Sequence, residues 1–203
     1  MSSRERLLKI EYMKKQVIIS ITGLLFDVAA EREWDSVLTE EGRLGRPHYF
    51  VGREGEVWQC KPMSEPTTCL GAFDDARVHV ALCNAGPLVR RGERFCVPGG
   101  DAVRYFYEFC NQSPYRGHVY YELLTPRQLE GLERLLRELI ATLGIHYRYD
   151  PLLGGLCPRC LGGQEGVWLA SGLMDRRIDP HPQPELVKMM KKITGQPRAA
   201  AEN

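Results

Sequence analysis

The residues with the chemistry to hold a metal or attack a bond are few in this chain, and they are widely spaced. Cys157-Pro-Arg-Cys160 has the two-residue spacing that can hold one edge of a tetrahedral zinc site. Cys60 and Cys69 could supply the other edge if the fold brings them there; the alternative for all four is thiols without metal. Cys69 is also a candidate nucleophile, but a thiol needs a nearby base to become a thiolate, and no Cys-His-Asp arrangement can be identified. His181 follows Asp179 by two residues, and with His79 the pair could build a metal or acid-base cluster that the spacing does not require. Arg177, two residues before Asp179, can donate hydrogen bonds to an anionic or carbonyl oxygen but is no catalyst by itself. His48, next to Pro47, reads as a packing residue, and His118 and His146 as exposed ones.

The elements that must position these groups are legible in the pattern of apolar residues. Residues 17–21 and 78–82 are short apolar runs suited to buried strands, and the second sets Val78, Val80 and Leu82 on one face. Thr125-Pro-Arg-Gln128 supplies an N-cap, a proline at the first helical position and a Gln at the capping-box position. The helix it predicts carries Leu129, Leu132, Leu135, Leu136, Leu139, Ile140 and Leu143 on one stripe and stops at Gly144. Asp150-Pro151 and the glycines at 154, 155, 162 and 163 mark a long loop.

Laid along the whole chain, these segments resemble zinc-dependent N-acetylmuramoyl-L-alanine amidases and the related peptidoglycan recognition proteins, roughly over residues 16–193. In that family's closing motif a basic residue stands two places before a metal-binding Asp followed by Pro-x-Pro; Arg177, Asp179, Pro180 and Pro182 occupy those places. Residues 48–59 resemble its strand, turn and strand. Residues 77–88, ending in Asn84-Ala-Gly-Pro-Leu88, resemble the central strand of phage and prophage amidases. The resemblance implies an α/β fold, a mixed central β-sheet flanked by helices, in a single domain over 16–194. An N-terminal extension at 1–15 and a small polar tail at 195–203, expected to be disordered, complete the chain.

The same resemblance implies a metal site that this chain has lost. The family's first ligand, a His ending the first core strand, corresponds to Ser20, and its second, about ten residues before the ligand Asp, to Leu169. Only Asp179 remains, whereas a catalytic zinc needs three protein ligands and an open position. The Glu that activates water in one branch corresponds to Ala81, and the Tyr of another to Pro47. Neither replacement can transfer a proton. The His of the Trp-His-x-Gly loop corresponds to Cys69. What stays is a candidate groove of Asn84, Arg177, Asp179, His181, Cys69 and His79, with no zinc at the amidase position and a structural zinc at Cys157 and Cys160 as the one metal option.

Composition narrows the partners. The chain has 203 residues and a net charge of +1, which offers no electrostatic footprint for nucleic acid. No run reaches the roughly 18 apolar residues of a membrane helix. Lys14-Lys15 ahead of residues 17–26 mimics a signal peptide, but Ser20 and Thr22 interrupt the apolar run and the charged stretch before it is long. Seven cysteines, an odd number, suit reduced thiols in a cytoplasm, with cell-wall action only on delivery by a phage or secretion system. Three functions fit. The first is an inactive amidase-like domain binding a protein partner or a muropeptide. The second is an active peptidoglycan amidase with rearranged ligands, and the third a structural adaptor in a phage-derived or secretion-like assembly.

Overall fold

The computed structural model describes residues 16–22, 46–67, 77–97, 107–109, 114–145, 156–174 and 180–194. Five strands form one mixed sheet in the order β3-β2-β4-β1-β9. The two apolar runs become its centre, β1 (Gln16–Ile21) and β4 (Arg77–Leu82), paired in parallel and buried on both faces apart from the half-buried Ile21. That double burial is why their sequences read as near-continuous apolar runs. β9 (Gly166–Leu169) adds to the other edge of β1 in parallel. β2 (Tyr49–Val51) runs parallel to β4 and turns back antiparallel into β3 (Val57–Gln59).

Strand alternation divides the buried residues between the two faces. Val17, Ile19, Val78, Val80 and Leu82 face α1 (Pro126–Leu143), meeting its Leu132, Leu135, Leu136 and Leu139, and α3 (Pro184–Thr194) closes the same core with Leu186 and Met190. The opposite face carries two smaller clusters. Ile18, Trp168 and Ala170 pack with Cys157 and Cys160 of the one-turn helix α2 (Pro158–Leu161) and its cap, while Phe50, Ala81 and Cys83 pack with Trp58 and Cys60.

The start of α1 follows the expected capping with one change. Thr125 Oγ1 accepts from the Gln128 N–H at 3.0 Å, and Gly144 ends the helix at φ 61°. Gln128, however, does not reach back to the cap residue as a capping box requires. Its Nε2 donates instead to the carbonyls of Val51 and Cys83, 3.0 Å each, tying the helix to the ends of β2 and β4. The β2–β3 turn also lies directly against the helix: a Cβ on Gly131 would stand 2.3 Å from the Gly55 carbonyl oxygen.

A second, antiparallel sheet in the order β6-β5-β8-β7 was not foreseen from the sequence: β5 (Pro87–Arg91), β6 (Arg94–Cys96), β7 (Tyr107–Phe109) and β8 (Tyr120–Glu122). A buried ion pair joins it to the first, the Arg53 guanidinium gripping both oxygens of Glu122 while the Ala85 N–H donates to Glu122 Oε2 at 2.5 Å.

Candidate functional site

Ser20, Ala81 and His79 share one face of the central sheet. Ser20 stands directly across from Ala81 and His79 across from Ile18, so the three side chains project on the side opposite α1. Ser20 Oγ and His79 Nε2 lie 2.6 Å apart in a hydrogen bond, and the three residues are only 2%, 3% and 4% exposed. The Ser20 hydroxyl is therefore held by an internal imidazole, and the Ala81 methyl group is buried beside it.

His48 is structural, as its sequence position suggested. Its Nδ1 accepts from the His79 backbone N–H at 3.0 Å, which leaves Nε2 to carry the hydrogen donated to the Glu65 carbonyl at 2.8 Å. Both ring nitrogens are thereby engaged and the imidazole is neutral. Pro47 is buried beside it, ahead of β2.

Leu169 is not brought to Ser20. It pairs with Ile19, one step out of phase with Ser20, and packs into the core under α1. Ala170, the next residue, packs instead with Ile18 and Trp168 on Ser20's side of the sheet. Leu169 therefore projects from the face opposite Ser20, since neighbouring residues of a strand point to opposite faces.

Asn84 is corrected from a groove residue to a scaffold one. Its Nδ2 donates to the carbonyls of Glu122 and Leu123, 3.3 Å each, and its Oδ1 accepts from the Gly86 N–H at 2.9 Å, so the amide is spent on fixing the turn after β4. His181 is likewise internal. Its ring stacks on Tyr121 with centroids 4.3 Å apart and meets Tyr115 edge-on at 5.1 Å, and burial lowers its pKa to about 4. His79 and His181 thus have different surroundings, one beside Ser20 and the other among tyrosines. Arg177, Asp179 and Cys69 lie outside the described residues.

The described thiols of Cys60, Cys157 and Cys160 fall in two separate clusters on one face of the sheet. Cys157 and Cys160 are buried with Ile18 and Trp168, whereas Cys60 packs with Phe50, Ala81 and Trp58. Burial pushes the Cys160 thiol up to about 12 and the Cys60 thiol up to about 11, so neither is a thiolate at neutral pH without a bound cation. Among the described residues no three His, Cys, Asp or Glu side chains converge on one point.

Sequence reasoning missed Arg116. Tyr115 and His118 exchange both backbone hydrogen bonds, 2.9 and 3.0 Å, around a two-residue turn in which Arg116 has φ 46° and Gly117 φ 85°. The only local signal was Arg116-Gly117, a turn dipeptide with an uncommon first residue. The Arg116 guanidinium donates to the carbonyls of Ser171 at 2.6 Å and Met174 at 3.2 Å.

No family model matches the sequence, and no curated protein does. The fold is nevertheless that of known structures. The N-acetylmuramoyl-L-alanine amidase LysC from Clostridium intestinale matches with a TM-score of 0.53 at 10% identity, covering 91% of this chain and 87% of its own. This chain has the N-acetylmuramoyl-L-alanine amidase fold. The endolysin amidase LysCS from Clostridium intestinale matches at a TM-score of 0.52 and 10% identity, over 90% of this chain and 84% of its own. The ectodomain complex of peptidoglycan recognition proteins LCa and LCx bound to tracheal cytotoxin is also similar, at a TM-score of 0.49 and 15% identity, over 89% and 82%. The mixed sheet with α1 on one face is the amidase fold's own architecture, and Ser20 and Ala81 are direct neighbours within it.

Proposed function

We propose that this chain is an amidase-fold domain that has lost the zinc reaction and serves to recognise a peptidoglycan-derived ligand, a muropeptide. The observation that carries the loss is the Ser20–His79 hydrogen bond beside Ala81, in a place closed to solvent. Water activation at zinc needs ligands and a base, and neither a buried methyl group nor a hydroxyl committed to an internal imidazole supplies them. Support for the ligand class comes from the structural relatives, which are named for the N-acetylmuramoyl-L-alanine bond. Recognition then falls to the closing segment, whose Arg177 can donate to carbonyl or carboxylate oxygens.

Two measurements on one preparation test this. Purified muropeptides are incubated with the protein and added zinc, and the products are separated by chromatography; the expected result is no stem-peptide release above background. Calorimetric titration with the same muropeptides should give saturable binding. Zinc-dependent release abolished by Asp179→Ala would establish the active-amidase reading instead.

A further inference from the structure

We propose that Cys157 and Cys160 form a dithiol–disulfide site, at which a small-molecule disulfide such as oxidised glutathione is reduced while the pair closes into an intramolecular disulfide. Cys157 attacks and Cys160 resolves. The inference is independent of ligand recognition, because every residue it uses lies in α2 or in the segments that hold it.

One turn of chain brings the two cysteines together. The Leu161 N–H donates to the Cys157 carbonyl at 3.0 Å, which closes the turn and sets Cys157 at the N-cap of α2 with Cys160 three residues on. Cα atoms so spaced on a helix are roughly 5 Å apart, inside the range of about 4.4–6.8 Å that a disulfide spans. Both side chains turn inward to the same cluster, against Ile18 and Trp168, and both are free thiols. Among the described residues no third His, Cys, Asp or Glu joins them, as a metal site would require.

The surroundings assign the two roles. Cys157 is 4% exposed and Cys160 is sealed, yet Leu156, Pro158, Arg159 and Leu161 around them are all exposed, so the turn itself lies at the surface. Its backbone is tied at both cysteines, the Cys157 N–H donating to the Gly172 carbonyl at 2.7 Å and Gln16 Nε2 to the Cys160 carbonyl at 2.9 Å. A helix of one turn without a side-chain N-cap bond opens locally at less cost than the sheet beneath it, and Cys157 leads that opening. Cys160 stays within, its thiol raised by burial and then by the neighbouring Cys157, so it is not the first to attack.

The exchange balances in two steps. The Cys157 thiolate attacks one sulfur of the small disulfide; that S–S bond breaks, and the first glutathione leaves and takes up a proton. Cys160 then gives up its proton and attacks Cys157 Sγ, the mixed disulfide breaks, and the second glutathione leaves as a thiol. The protein pair loses two electrons and two protons, and the small disulfide gains them.

The test equilibrates the full chain in glutathione buffers of rising oxidised share, quenches with acid, alkylates the remaining thiols and maps the peptides by mass. Both cysteines are expected to escape alkylation together, joined to each other, and to become reactive again after dithiothreitol. Cys160→Ala should hold glutathione on Cys157, whereas Cys157→Ala should leave Cys160 unmodified. Both thiols still alkylated in the wild type under excess oxidised glutathione, or either one paired with a different cysteine, would overturn the proposal, and this measurement decides it even if a variant fails to fold. Glutathione trapped on Cys160 but never on Cys157 would overturn the assignment of roles. Bound zinc that protects both thiols until it is chelated would overturn the proposal too, making the pair a metal site.

Discussion

Protonation of His181 should unfasten the aromatic cluster, and the size of the effect follows from its surroundings. Burial against Tyr121 and Tyr115 lowers the pKa of this imidazole from 6.5 to about 4. In the unfolded chain it takes up its proton as the pH falls through about 6.5; in the folded chain it resists until about 4. Between those values the unfolded state binds one more proton, so stability is full above pH 6.5 and is lost as the pH falls. At about 1.4 kcal/mol per pH unit, the loss is about 2 kcal/mol by pH 5 and about 3 kcal/mol by pH 4. His181→Phe keeps a ring for Tyr121 to stack on and removes the titration. Urea unfolding of both proteins at pH 7.5 and pH 5 isolates the effect, because every other titratable group is common to the two. The wild type is expected to lose about 2 kcal/mol more than the variant between the two conditions. Equal losses would mean that His181 is open to solvent, and the stacked geometry would be wrong.

Other consequences are equally direct. Gly131→Ala improves helix propensity by about 1 kcal/mol, yet its Cβ would overlap the Gly55 carbonyl; a net destabilisation of about 1–3 kcal/mol is expected in urea unfolding. Arg53→Met leaves the Glu122 carboxylate buried without its cation and should cost about 3–5 kcal/mol, and a second change, Glu122→Gln, should recover part of it. Ser20→His with Leu169→His should show no zinc-induced rise in melting temperature, because the two side chains project from opposite faces of the sheet. Leu169→His alone should cost about 2–5 kcal/mol for disrupting a core leucine.

The parts of the fold legible in the sequence are those that depend on near neighbours. The apolar runs of β1 and β4 announce strands buried on both faces, because every residue of such a run must avoid water whichever way it points. Thr125-Pro126 and Gly144 mark the ends of α1, because a cap is a contact within one turn of the helix. The spacing of Arg177, Asp179, Pro180 and Pro182, together with the segments before it, indicated the family whose fold the chain adopts.

What tertiary structure decided is where each polar group spends its hydrogen bonds and which face each side chain takes. Gln128 looked like half of a capping box, but the carbonyls at the ends of β2 and β4 lie within reach and take its donors. Asn84 looked like a groove residue until β8 arrived beside it and drew its amide onto Glu122 and Leu123. Leu169 and Ala170 are adjacent in sequence and belong to different cores, a choice made by the register of β9 on β1. Only the packing of distant strands decides that Ser20 and His79 bond to one another, because a hydrogen bond between positions 20 and 79 depends on which strands lie side by side, and no local pattern records that.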